Sequence, residues 1–179
     1  MKNELIDKLT QSNAHRSSRM SVCNFVIRKE LVSELVAIAL DVKSDNHFKA
    51  FWALEFVCEK KMKLFTPFFN EFCSILPSIK NESALRSATK ICMFLAKSNH
   101  RKNGISLNQE QEHHIIENMI DRLIQDIKVA SKVYAMKALF VFGKKYDWIY
   151  EELKPIITQD AFEHSAAYQA CARNILKKI

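Results

Sequence analysis

Phe48-Lys49-Ala50-Phe51-Trp52-Ala53-Leu54-Glu55-Phe56-Val57 sets two small residues three apart among bulky apolar ones, and the same figure returns along the chain. It recurs as Ser18-x-x-Ser21-Val22-x-x-Phe25, Ala84-x-x-Ser87-Ala88-x-x-Ile91 and Ala135-x-x-Ala138-Leu139-x-x-Phe142, with a weaker copy at Ala167, Ala170, Cys171 and Asn174. First positions at 18, 50, 84, 135 and 167 give steps of 32, 34, 51 and 32 residues. A period of this size marks stacked supersecondary units, none of which buries its apolar face alone. Ala or Ser at i and i+3 lets helices approach closely, so the copies are predicted on the first helix of successive helix pairs. The second helices carry bulk, as in Leu64, Phe65, Phe68, Phe69, Phe72, Ile75 and Leu76.

Composition agrees with helices. The 179 residues include two glycines (Gly104, Gly143) and three prolines (Pro67, Pro77, Pro155) against 48% hydrophobic residues, too little punctuation for a many-turned sheet. Isolated glycines also cannot write the glycine-rich phosphate loops of nucleotide folds. Without a Pro-, Gly- or Ser-rich linker, one helical-repeat domain over 1–179 is expected. Cys23, Cys58, Cys73, Cys92 and Cys171 form no C-x-x-C pair and sit in apolar contexts, which reads as buried reduced thiols. Met1 to Asp7 lacks the apolar core of a signal peptide, and the longest apolar run, Leu35 to Leu40, is too short for a bilayer. A cytoplasmic protein without membrane association is therefore expected.

Apolar spacing predicts helices over 4–10, 15–28, 29–42, 46–60, 63–79, 82–98, 107–127, 130–145, 148–159 and 162–177. Breaks fall at Asp45-Asn46, Asn81-Glu82, Asn103-Gly104 and Gln159-Asp160, residues that favour turns and caps. Ser106-x-x-Gln109 fits a capping box, with Asn108 a competing N-cap. Pro67 is expected in a first helical turn behind Thr66, whereas Pro155 should kink or restart its helix near residue 154. The polar insertion Ser98-Asn99-His100-Arg101-Lys102-Asn103-Gly104, together with a longer second helix, accounts for the long third step.

Phe48 to Val57, followed by Phe65-Thr66-Pro67-Phe68-Phe69, resembles the paired helices of HEAT and armadillo-like repeats. The resemblance implies a right-handed α-α superhelix of about five helix pairs, although HEAT units are longer, at about 40 residues. The whole chain is also similar to a family of short bacterial helical-repeat proteins of unassigned activity. Ala53-Leu54-Glu55-Phe56-Val57-Cys58, Ala88-Thr89-Lys90-Ile91-Cys92, Gly143-Lys144-Lys145-Tyr146-Asp147-Trp148-Ile149-Tyr150 and Ser165-Ala166-Ala167-Tyr168 carry this second likeness. Members are sometimes labelled adenylosuccinate lyase. The catalytic loop of that superfamily has the form Ser-Ser-x-Met-Pro-x-Lys-x-Asn. Ser17-Ser18-Arg19-Met20 begins alike but continues Ser21-Val22-Cys23-Asn24, without the proline and lysine. The lyase label is therefore not expected to describe an activity here.

A net charge of +7 is compatible with a polyanion partner and with an ordinary solvated surface, the latter being the expected reading. Lys60-Lys61 and Lys144-Lys145 each close a first helix, where the macrodipole favours cations. Stacked in register, Lys60, Lys61, Lys63, Lys144 and Lys145 would share an edge with Arg101 and Lys102 of the insertion, a candidate surface for a polyanion or partner. Trp52 and Trp148 could stack on a ligand there or fill the core. His114, Glu117 and Asp121 occupy successive turns but lack the second histidine or cysteine usual for zinc, so they read as a solvated face. His15, His47, His100 and His164 read as surface residues, and no H-E-x-x-H or G-x-S-x-G is present. The expectation is a monomeric, non-enzymatic scaffold or adaptor for a protein or peptide partner, with no catalytic residue, metal or cofactor. The alternative is nucleic-acid binding in the style of HEAT-like DNA alkylation-repair glycosylases.

Overall fold

A computed structural model describes residues 2–160 and 164–179. Among the described residues the chain is all-helical: α1 Lys2–Gln11, α2 Arg16–Arg28, α3 Val32–Leu40, α4 His47–Lys61, α5 Phe69–Ile75, α6 Glu82–Asn99, α7 Gln109–Ile124, α8 Val129–Phe142, α9 Trp148–Asp160 and α10 Ala166–Leu176. The predicted start of the last helix at 162 lies outside the described residues. No helix among the described residues is long and apolar enough to cross a membrane. The helices form two compact units, divided between Ala88 and Thr89 so that each takes part of α6.

In the first unit α4 packs against α2 and α3. Its Phe51 and Phe56 are buried; the Phe51 ring lies 6.4 Å from that of Phe72, and Phe65 meets Phe69 and Phe72 edge-on with centroids 5.5 and 5.3 Å apart. Two predicted boundaries fail for backbone reasons. Glu30 takes a left-handed φ of 56°, so α3 starts at Val32 rather than at 29. The predicted 63–79 helix is divided by its prolines: Pro67 lies inside a 3₁₀ segment, Met62–Phe68, and a second such segment, Leu76–Ser78, holds Pro77. Each proline lacks the N–H that the α-helical ladder requires, and only α5 between them is α-helical.

His47 corrects the surface reading, since it is only 4% exposed and its Nδ1 lies 2.6 Å from the Ala39 carbonyl oxygen. Buried Glu55 accepts hydrogen bonds from Ser87 Oγ at 2.8 Å and Arg86 at 3.1 Å, joining α4 to the first part of α6.

In the second unit α7 packs on α8, and α8 on α9 and α10. The helix expected over 107–127 runs from Gln109 to Ile124, with Ile115, Ile116, Met119 and Leu123 buried and Ile124 exposed. Asn108 is the N-cap: its side chain accepts from Gln111 N while the Gln111 side chain accepts from Asn108 N, so the box sits two residues beyond the Ser106 alternative. α9 continues through Pro155. The carbonyl that Pro155 cannot serve belongs to exposed Glu151, where water can take the bond.

The small-residue copies lie on α2, α4, α6, α8 and α10. Ala50, Ala53, Ala84, Ser87, Ala135 and Ala138 of the middle copies are fully or almost fully buried, whereas Ser21, Ala167 and Ala170 of the first and last copies are exposed. A small residue is needed only where a neighbouring helix comes close.

Candidate functional site

Charge is sorted between alternate helices of the second unit. From Thr89 onward, α6, α8 and α10 contain no Asp or Glu, and they carry Lys90, Lys97, Lys132, Lys137 and Arg173. The carboxylates of that half belong to α7, α9 and connecting segments: Glu110, Glu112, Glu117 and Asp121 on α7, Glu151 and Glu152 on α9.

Helical periodicity converts this sorting into a surface. Val133, Lys137, Phe140 and Lys144 follow one face of α8 and its C-terminal turn, and Ala167, Ala170, Asn174 and Lys178 do the same for α10. These residues, with Lys97 and Arg101, line a groove of about 820 Å³. Val133, Val141, Ala167, Ala170 and Ile175 are the aliphatic part of its lining, and no carboxylate lines it among the described residues. Lys144 and Lys178 stand over the Phe140 ring, 5.7 and 5.8 Å from its centroid. Lys137 lies 6.0 Å from the Tyr134 centroid. Partial burial, reinforced by the like charges of Lys137 and Arg101, pulls the Lys97 ammonium below the usual lysine range. Cations crowded in this way favour an anion between them.

Cys171 also lines the groove. Burial raises its thiol above the ordinary value against the opposing pull of Lys137, the reverse of the electrostatics that activate a nucleophilic cysteine.

The insertion before α7 is tied at both ends. Ile105 N donates to Ser98 Oγ at 3.1 Å, Leu107 N donates to Asn99 Oδ1 at 2.8 Å, and Asn99 Nδ2 donates to Glu112 Oε1 at 2.6 Å. Glu112 is 1% exposed, and its Oε2 also accepts from Lys145 Nζ and the Tyr146 hydroxyl. Burial alone would raise its pKa, but these three donors outweigh that and hold the carboxyl below the usual glutamate value.

The residues predicted for the basic surface belong to both units. Arg101 and Lys144 line the groove, exposed Lys102 does not, and Lys145 is committed to Glu112. Lys60, Lys61 and Lys63 are exposed residues of the first unit, with Lys60 donating to Asn24 Oδ1 at 2.8 Å. Sequence reasoning missed Lys97, Lys137 and Lys178. The signal available for them was the absence of carboxylates from α8 and α10, a property of whole helices rather than of lysine doublets.

Trp148 is exposed, while half-buried Trp52 meets Phe48 edge-on with centroids 5.0 Å apart. His113, not His114, faces Glu117, with Nε2 3.1 Å from Oε1. Among the described residues no group of His, Cys, Asp or Glu converges to hold a metal ion. Compared with protein-family models and with curated proteins, the chain matches none.

Proposed function

We propose that this chain is a non-enzymatic adaptor, built as a HEAT/armadillo-like α-α superhelix, whose second unit grips an acidic segment of a protein partner in the lysine-lined groove. The observation that carries the reading is a groove lined by apolar residues and cations, with no carboxylate among the described lining residues. A segment alternating Asp or Glu with apolar residues would use both features, its carboxylates on Lys97, Arg101, Lys137, Lys144 and Lys178 and its side chains on Val133, Val141 and Ile175. A phosphodiester backbone would use only the cations. The neutral state favoured for Cys171 supports binding over chemistry at this surface. The burial of the middle small-residue copies supports the superhelical reading.

The test is fluorescence anisotropy with a labelled Glu/Leu peptide, its Gln/Leu counterpart, and single- and double-stranded DNA of matched charge. The acidic peptide should bind more tightly than DNA, and the Lys137→Glu, Lys144→Glu double variant should weaken it by at least about 10-fold. Tighter DNA binding with steep salt dependence would replace this reading with the nucleic-acid one. Equal binding of the Gln/Leu peptide would remove the charge argument.

A further inference from the structure

A second depression, of about 380 Å³, opens in the same unit between the start of α7 and the segment leading into α9. Its rings are those of His113, Tyr146 and Trp148, Ile116 lies among them, and Gln109 and Glu110 complete the lining. No lysine or arginine lines it among the described residues. This polarity is opposite to that of the groove, so the two features make independent arguments.

Trp148 is 44% exposed although α9 buries Ile149, Leu153 and Ile157. A large aromatic left out of the core beside two further rings is a surface shaped for contact. The Tyr146 hydroxyl donates to buried Glu112, and Lys145, which lines a different cavity, lies 4.9 Å from the Tyr146 centroid. His113 is held by Glu117. Glu110 stands in the first turn of α7, where the macrodipole favours a charged carboxylate.

Rings, an apolar residue and one carboxylate select for a cation with little hydration to lose. Alkylation spreads and desolvates an ammonium charge, and its methyl groups pack against ring faces whose quadrupole attracts the cation. A free lysine ammonium is a strongly hydrated point charge and gains less. An anion would be repelled by Glu110. We infer that the pocket formed by His113, Tyr146, Trp148 and Glu110 binds a methylated ammonium group, carried by a methylated lysine side chain or by a choline-type headgroup.

The probe is tetramethylammonium, followed through the indole N–H resonance of Trp148, which Trp148→Phe identifies by its loss. A saturable shift is expected, weakened about 2- to 5-fold in Glu110→Gln, the usual size of a single exposed charge contribution. The uncharged tert-butyl isostere of choline should bind much more weakly. Both side chains are exposed, and unchanged thermal unfolding of the variants separates lost binding from lost fold. A trimethyl-lysine peptide and phosphocholine then distinguish the sources: preference for either supports the pocket and names the carrier. No saturable shift at Trp148, or equal binding of the uncharged isostere, would overturn the inference.

Discussion

Lys145 Nζ lies 2.6 Å from Glu112 Oε2, whereas its neighbour Lys144 reaches over the Phe140 ring. Adjacent lysines therefore do different work, one neutralising a buried carboxylate and the other lining the groove. Replacing Glu112 with Ala takes the acceptor from half-buried Asn99 and Tyr146, while the Lys145 side chain, 55% exposed, returns to water, and should cost about 1–3 kcal/mol in denaturant unfolding.

The same carboxylate sets a pH dependence. Because the folded pKa of Glu112 is depressed from 4.5, its contribution is fully present above the unfolded value and is lost as pH falls through the folded one. The melting temperature of the native chain should therefore fall more steeply below about pH 4.5 than that of Glu112→Gln. Parallel curves would show that Glu112 is not the group responsible.

Cys171 is half-buried in the groove wall while Cys23, Cys58, Cys73 and Cys92 are buried. One thiol should react with a small aromatic disulfide in the folded protein, and Cys171→Ser should abolish that reaction. Saturating acidic peptide should slow it about 10-fold, and Lys137→Gln should also slow it in the absence of peptide, because Lys137 lowers the thiol pKa.

Gly104 is required for space rather than for backbone conformation. No glycine has a positive φ, but a Cβ on Gly104 would fall 1.6 Å from the Ser98 carbonyl oxygen and 2.6 Å from the Ser98 carbonyl carbon. Gly104→Ala should destabilise by about 1–3 kcal/mol, read as a lower urea midpoint with an unchanged slope. Wild-type stability would show that the insertion repacks without cost.

Local periodicity made the helices legible, because Ile115, Met119 and Leu123 announce their shared face in sequence. Prolines and caps were harder to read. Ser106 and Asn108 are both chemically able to cap α7, and only the reciprocal bonds with Gln111 select Asn108. His47 went unread because its partner is a carbonyl at Ala39, in the preceding helix. In the groove, Arg101 and Lys144 stood out as members of basic doublets, whereas Lys97, Lys137 and Lys178 are separated along three segments and meet only after folding. Lys145 resembled Lys144 in sequence, and its partner lies 33 residues away.

In the second unit the acids fall on α7 and α9, which also carry Arg122 and Lys154, whereas α8, α10 and α6 from Thr89 carry cations alone, so charge is divided unevenly among its helices. An acidic partner would be attracted by the cations of the groove before touching the surface, and would turn its acidic side towards them. Recognition should then be governed as much by orientation during encounter as by grip afterwards. Raising the ionic strength would act first on the association rate, because long-range alignment is screened within a Debye length of about 8 Å at physiological salt.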